Sequence, residues 1–146
     1  MLRGSTITKI DAKGRLKLPS DFRRTLEDGW GRDVFVTSVH GDVALLYPLP
    51  VWEEHESRLL ALPRTDRTRQ AYLHRVSYYG QQGRLDAQGR LVIHPVLREA
   101  ADVSGEVVVS GHLDHLQIWN RERFLSQLED KPFTDEDYEN LTLKGI

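Results

Sequence analysis

The sequence contains no cysteine. Disulfide frameworks, thiolate nucleophiles and cysteine-bound metals are therefore excluded, which is compatible with a reducing compartment. No apolar run approaches the roughly 20 residues that span a bilayer. The opening Met1-Leu2-Arg3-Gly4-Ser5 lacks the apolar stretch of a secretory signal. A cytoplasmic protein with no membrane partner is expected. Nucleotide-cofactor chemistry is missing as well. Neither a Walker-type phosphate loop nor a G-x-G-x-x-G turn occurs, and no serine lies in a G-x-S-x-G elbow. No cofactor, no small-molecule substrate and no enzymatic activity are expected.

The nearest approach to a catalytic cluster is His112-Leu113-Asp114-His115, whose side chains are of metal-ligating type. It falls where a hairpin turn is expected, and His40-Gly41-Asp42 holds the matching turn earlier in the chain. Polar turn residues are the simpler account. A metal-dependent enzyme using His112, Asp114 and His115 is the rival reading. Trp52, Trp119 and Phe124 are expected in the core rather than on a stacking platform.

What the chain does contain is one motif twice. Asp11-Ala12-Lys13-Gly14-Arg15-Leu16 returns as Asp86-Ala87-Gln88-Gly89-Arg90-Leu91. The match runs on: Leu18 answers to Ile93, Phe22 to Leu97 and Arg23 to Arg98. A repeat of this kind sets the fold before anything else is read. Residues 6–10 alternate as a half-buried strand does. Asp11 to Gly14 is a turn, with Asp bonding the backbone and Gly supplying positive φ. Residues 15–18 return as a second strand. Pro19-Ser20-Asp21 opens a short helix with Phe22 and Leu26 on its apolar edge, and Gly29 is the expected stop.

The remaining elements follow in order. Residues 33–39 and 43–47 read as a hairpin of β-branched and apolar strands. Pro48 and Pro50 then start a helix carrying Trp52, His55, Leu59 and Leu62. Thr65 or Asp66 caps the next helix, in which Tyr72, Leu73, Val76 and Tyr79 form a stripe, with Gly80 and Gly83 at its end. The second unit repeats the plan: 82–85, a turn at 86–89, 90–93, a helix from His94-Pro95, a hairpin of 106–111 with 115–119, and a helix capped by Asn120. The expected divisions are a first unit over 5–51, a helical linker over 52–79, a second unit over 80–123, and a C-terminal helix with acidic tail over 124–146. Beyond Asp130 the chain is expected to be mobile, or ordered only against a neighbour. A unit this small rarely buries enough surface to fold alone. The two should interleave their hairpins in one shared core about a pseudo-two-fold axis.

Charge is unevenly placed. The formal net charge is −2, yet residues 1–24 carry seven basic and two acidic side chains, while 122–146 carry three basic and seven acidic. Arg15 and Arg90 follow Gly-containing turns on exposed hairpins. One reading pairs each with Asp11 or Asp86 to fix the turn. The other makes them nucleic-acid contacts, since a two-stranded ribbon fits the major groove and arginine pairs bidentately with guanine. Arg3, Lys9, Lys13 and Lys17 would add phosphate contacts, with Gln88 the weaker counterpart of Lys13. Asp11, Gly14, Asp86 and Gly89 are the structural turn residues.

These motifs carry a resemblance. Met1-Leu2-Arg3-Gly4, the Asp11-x-Lys13-Gly14-Arg15 turn, Leu18-Pro19-x-x-Phe22-Arg23, Leu45-Leu46-Tyr47-Pro48 with Trp52, Asp86-x-Gln88-Gly89-Arg90, Leu97-Arg98-Glu99 and Ile118-Trp119 together resemble the MraZ family. That family comprises bacterial regulators of the division and cell-wall gene cluster built from two SpoVT-AbrB-type units. The resemblance implies an α+β, β-rich fold: two swapped-hairpin units sharing a barrel-like β core, with a helical-hairpin linker and a C-terminal helix. It implies a cytoplasmic, nucleoid-associated homo-oligomer, ring-shaped, that binds double-stranded DNA at short direct promoter repeats of its own operon. The family's D-x-x-G-R arginine falls on Arg15 and its counterpart on Arg90. A ring would gain avidity by linking hairpins, and the stripe of the linker helices is one candidate contact surface. The rival within the fold class is an antitoxin-like module that neutralises a partner protein. One departure is His94, which displaces the second unit's proline to Pro95, with little loss expected. The tail after Arg123 is unmatched.

Overall fold

A computed structural model describes all 146 residues, Met1–Ile146. The first unit comprises β1 (Ser5–Ile10), β2 (Arg15–Lys17), α1 (Ser20–Trp30), β3 (Asp33–Thr37), β4 (Ala44–Pro48) and α2 (Leu49–Leu60). After α3 (Arg67–Tyr78), the second repeats the order: β5 (Gln81–Arg84), β6 (Arg90–Val92), α4 (Pro95–Ala100), β7 (Gly105–Gly111), β8 (Leu116–Asn120) and α5 (Arg121–Asp130). A last helix, α6, spans Asp135–Leu143.

The eight strands form one antiparallel sheet in the order β5-β3-β4-β8-β7-β1-β2-β6. The units are swapped throughout. β1 of the first unit pairs along its length with β7 of the second, from Ser5↔Ser110 to Ile10↔Gly105. In return β5 pairs with β3, from Asp33↔Arg84 to Val36↔Gln81. The pseudo-two-fold axis passes between equivalent strands, at Leu16↔Leu91 in β2–β6 and at Leu45↔Gln117 in β4–β8. The sheet curls until its edges nearly meet, and the Asp86 N–H donates to the Arg90 carbonyl at the seam, 3.0 Å away. The α+β fold with a shared barrel-like β core is as the sequence led one to expect.

The interleaving corrects one expectation. Residues 6–10 and 15–18 do not form a ribbon of their own, because β1 and β2 share only the Ile10↔Leu16 pair. Likewise β5 and β6 lie at opposite ends of the strand order. The turn residues are local, but each arm leaving the turn takes a partner from the other unit. The reason is burial: Ile10, Leu16, Leu85 and Leu91 all lie in a single cluster of 20 buried apolar residues drawn from both units. Full burial of each leucine contributes about 1.5–3 kcal/mol, which a lone hairpin with one solvated face would not obtain.

Smaller differences have local causes. Helix α1 runs through Gly29 and ends at Gly31, whose φ of 97° lets its N–H reach back to the Leu26 and Glu27 carbonyls. Gly80 follows α3, but Gly83 lies inside β5. Of the two candidate caps for α3 it is Asp66 that accepts from the Arg69 N–H, at 2.8 Å. The helical hairpin of α2 and α3 between the two sets of strands packs on the body. Trp52 stacks on Phe35 with ring centroids 4.8 Å apart, the Thr37 hydroxyl donates to the Val76 carbonyl at 2.7 Å, and His55 meets the Tyr72 hydroxyl at 2.8 Å. Its Tyr72–Tyr79 stripe faces the body, with Val76 buried. The exposed apolar side chains of the linker are instead Leu60, Leu62 and Tyr78. Trp52 and Trp119 are core residues, and Phe124 is half-buried against Trp119. In the tail, α6 is helical and opens on a capping box between Thr134 and Asp137, and none of its residues is buried. No helix is long and apolar enough to cross a membrane.

Candidate nucleic-acid interface

The two turns have the same construction. Asp11 Oδ1 accepts from the backbone N–H groups of Lys13 and Arg15, each at 2.9 Å, and Asp11 Oδ2 accepts from Arg15 Nε at 2.7 Å. Asp86 does the same for Gln88, Arg90 and Arg90 Nε, at 2.8, 2.9 and 3.1 Å. Hydrogen bonds from the arginine backbone, then its side chain, hold the Asp11 carboxyl below the usual carboxylate range. The Arg90 backbone bond does the same for Asp86, partly opposed by desolvation. Gly14 and Gly89 close the turns at φ of 80° and 74°.

Each turn is seated in the opposite unit. The Gly14 carbonyl accepts from the Ile93 N–H and the Gly89 carbonyl from the Leu18 N–H, both at 2.9 Å. Arg23 of α1 packs beneath Gly89 and donates to the Ala87 carbonyl; Arg98 of α4 packs beneath Gly14 and donates to the Ile93 carbonyl at 3.4 Å. A Cβ on Gly14 would meet the Arg98 guanidinium and would lie 2.7 Å from the Ile93 carbonyl oxygen.

The exposed ribbon is therefore β2–β6, with one strand from each unit. Its register is Arg15↔Val92, Leu16↔Leu91 and Lys17↔Arg90. Leu16 and Leu91 point into the core, so period-2 alternation sends Arg15, Lys17, Arg90 and Val92 outward. The pairing with the turn aspartates is present, and it occupies only one end of each guanidinium. Asp11 and Asp86 take the Nε atoms, while the terminal nitrogens of Arg15 and Arg90 have no protein partner. An arginine fixed at Nε presents a rigid, charged end to solvent. Lys17 also faces Arg90 directly across the ribbon, a like-charge pair that is unfavourable until an anion lies over it.

Lys9, Asp11, Arg15, Lys17 and Arg90 line one shallow groove with Ile10 at its floor. Lys13 and Gln88 stand at the exposed turn tips. Arg3 is not brought to this face. It lies beyond the far end of β1, beside the Leu2↔Leu113 bridge, and β1 alone spans roughly 17 Å at its usual rise per residue. The structure adds Arg84, which occupies in the second unit the place of Lys9 and pairs with Asp33 at 3.1 Å. Extending the repeat alignment backwards from Asp86 would have found it. No group of three or more His, Asp or Glu side chains is placed to hold a metal ion. In the 112–115 turn, His115 Nδ1 and Asp114 Oδ1 engage one another at 2.9 Å.

Residues 1–75 and 80–143 match the family model described as "MraZ protein, putative antitoxin-like". The chain belongs to the MraZ family. Among MraZ relatives, the Koribacter versatilis protein named Transcriptional regulator MraZ is 47% identical over 147 residues, covering 100% of both chains. The protein of that name from Acidobacterium capsulatum is 43% identical over 146 residues, again with 100% of both covered. That from Methylobacillus flagellatus is 36% identical over 129 residues, 88% of this chain and 87% of its own. The match reaches into α6, beyond the point where MraZ motifs were legible in the sequence. The His94 departure is also visible. Pro95 takes the first turn of α4 as expected, but the His94 Nε2 atom is buried without a partner, and desolvation lowers the imidazole pKa against an opposing hydrogen bond that the ring donates to the Tyr79 backbone.

Proposed function

We propose that this chain is a sequence-specific DNA-binding transcriptional regulator and not an enzyme. The reading extends to its site of action: short direct promoter repeats upstream of its own division and cell-wall gene cluster, bound by a ring-shaped homo-oligomer on the nucleoid. Arg15 and Arg90 read bases, Lys9, Lys13, Lys17 and Gln88 support them, and Arg3 contacts DNA only where the duplex continues along β1. The observation that carries this is the β2–β6 ribbon, which brings the repeated arginines to one outward face with free guanidinium ends. A two-stranded β-ribbon fits the major groove, and arginine is the commonest reader of guanine there. The names of the relatives support the same activity.

The test is fluorescence anisotropy with the duplex upstream of the protein's own gene, beside a scrambled duplex, at several salt concentrations. Wild type should prefer the upstream duplex, and its affinity should fall steeply with salt. Arg15→Ala should lose about 1–3 kcal/mol of that preference. Equal affinity for both duplexes would end the regulator reading and favour the antitoxin-like one, a partner protein held in place of DNA, which the family description itself carries.

A further inference from the structure

We propose that Val92 is a specificity-determining residue that reads a thymine 5-methyl group beside the base contacted by Arg15, and thereby gives the recognised sequence a direction. The inference rests on the DNA-binding reading above. It begins with an anomaly on the ribbon. Val92 is outward-facing and 58% exposed, a branched apolar side chain on a face otherwise set with Arg15, Lys17 and Arg90. Its core-facing neighbour Leu91 already supplies the burial that β6 needs.

The ladder fixes where Val92 stands. The bonds from Ile93 N–H to the Gly14 carbonyl and from Leu18 N–H to the Gly89 carbonyl bracket the ribbon. Alternation then makes Arg15↔Val92 and Lys17↔Arg90 non-hydrogen-bonded pairs, the type with the closest side chains, about 4.5 Å between Cα atoms. Arg15 and Arg90 lie on the diagonal, about 7–8 Å apart. Bases stack at about 3.4 Å per step, so the two arginines match bases about two steps apart, and Val92 stands about one step from the base under Arg15. In the major groove the apolar group available at that range is the thymine methyl.

Symmetry supplies the direction. The pseudo-two-fold axis exchanges Arg15 with Arg90, two residues of the same kind, but exchanges Lys17 with Val92. Turning the duplex end for end therefore leaves the guanine contacts intact and brings the thymine methyl against a lysine. A ribbon with lysine at both places would read both orientations alike; this one does not.

The experiment selects duplexes from a random 20-base-pair pool with full-length wild type, Val92→Ala and Val92→Lys. Each thymine of the wild-type motif is then replaced by deoxyuridine, which removes only the methyl, and affinities are measured by anisotropy. One thymine should be found at which deoxyuridine lowers wild-type affinity about fourfold, the worth of one buried carbon. Val92→Ala should not distinguish the two bases there, and Val92→Lys should select a motif closer to its own reverse complement. A selected motif with no methyl-sensitive thymine would overturn the inference, as would full methyl sensitivity in Val92→Ala; both leave DNA binding standing. Enrichment of no motif at all would remove the DNA-binding reading itself and the inference with it. The deoxyuridine arm uses wild type alone, so a poorly folded variant does not rescue the idea.

Discussion

The turns at 11–15 and 86–90 share a backbone and differ in the chemistry they present. In both, an aspartate gathers two backbone N–H groups and an arginine Nε, and a glycine at positive φ hands its carbonyl to the other unit. Around that common frame Lys13 becomes Gln88, Lys17 becomes Val92 and Lys9 becomes Arg84. The Asp, Gly and Arg positions set geometry and the arginine's aim. The positions between them set what the face attracts. Two units of nearly identical shape thus make a face that is symmetric in its arginines and asymmetric in everything beside them.

The largest expected effect tests the shared frame. Gly14→Val should destabilise the protein by about 2–4 kcal/mol, because a β-branched residue at positive φ is strained and its Cβ would meet backbone. At Gly89 the atoms in the way belong to the Arg23 side chain, whose Cδ lies 2.5 Å from where a Cβ would stand. Arg23 can swing aside, so Gly89→Val should cost less. Urea denaturation of the two variants checks this; equal losses would mean that strain at φ alone decides and the opposing seats are irrelevant.

Next in size is DNA affinity. Arg15→Ala and Arg90→Ala should each weaken binding by about 1–3 kcal/mol if both read guanine. The two side chains stand on one ribbon over one groove, so the double variant should depart from additivity. Strict additivity would place the arginines on separate stretches of DNA and break the single-ribbon picture.

A smaller effect separates the aspartates. Their carboxyls are held low in the folded state, so the stability they contribute is present above the ordinary value, 3.8, and is lost as pH falls through the lower folded value. Arg15 Nε lies at 2.7 Å from Asp11 and Arg90 Nε at 3.1 Å from Asp86. Melting temperature measured between about pH 6 and pH 2 should fall for wild type, more shallowly for Asp86→Asn, and most shallowly for Asp11→Asn. Identical profiles for wild type and Asp11→Asn would show that other carboxylates govern acid unfolding.

The pattern of what the sequence foretold is itself physical. Turns and caps were legible because they are local: the Asp-x-x-Gly turn and Asn120, whose side chain accepts from the Arg123 N–H, need only neighbouring residues. The repeat placed Arg15 and Arg90 just past their turns for the same reason. The β3–β4 and β7–β8 hairpins were legible too, but strand partners drawn from the other unit were not. Nothing in the three residues of β2 or β6 tells an arm from its own hairpin apart from an arm of the other unit. Size argued for interleaving, but only the shared burial of Leu16 and Leu91 decides that β2 pairs with β6. Gly29 was the helix end the sequence suggested, but α1 runs on to Trp30 and the positive φ of Gly31 ends it. At the tail, acidic composition masked the Thr134-x-x-Asp137 capping box, a signal present in the sequence but outweighed by charge.

The smallest effect is the most direct reading of the difference between the turns. Lys13 and Gln88 occupy equivalent exposed tips, and neither tip's backbone depends on its side chain, since Asp11 and Asp86 bond only the main-chain N–H groups there. A lysine that neutralises one phosphate steepens the dependence of affinity on salt by about 0.9 on logarithmic axes. Lys13→Ala should remove about that much slope and weaken binding evenly across sequences. Gln88→Ala should leave the slope alone, because an amide releases no counterion. Gln88→Lys should add what Lys13→Ala removes, provided that both tips lie on the duplex. If Gln88→Lys adds nothing while Lys13→Ala removes a full unit, then only the first turn reaches a phosphate, and the second serves to hold Arg90 beside it.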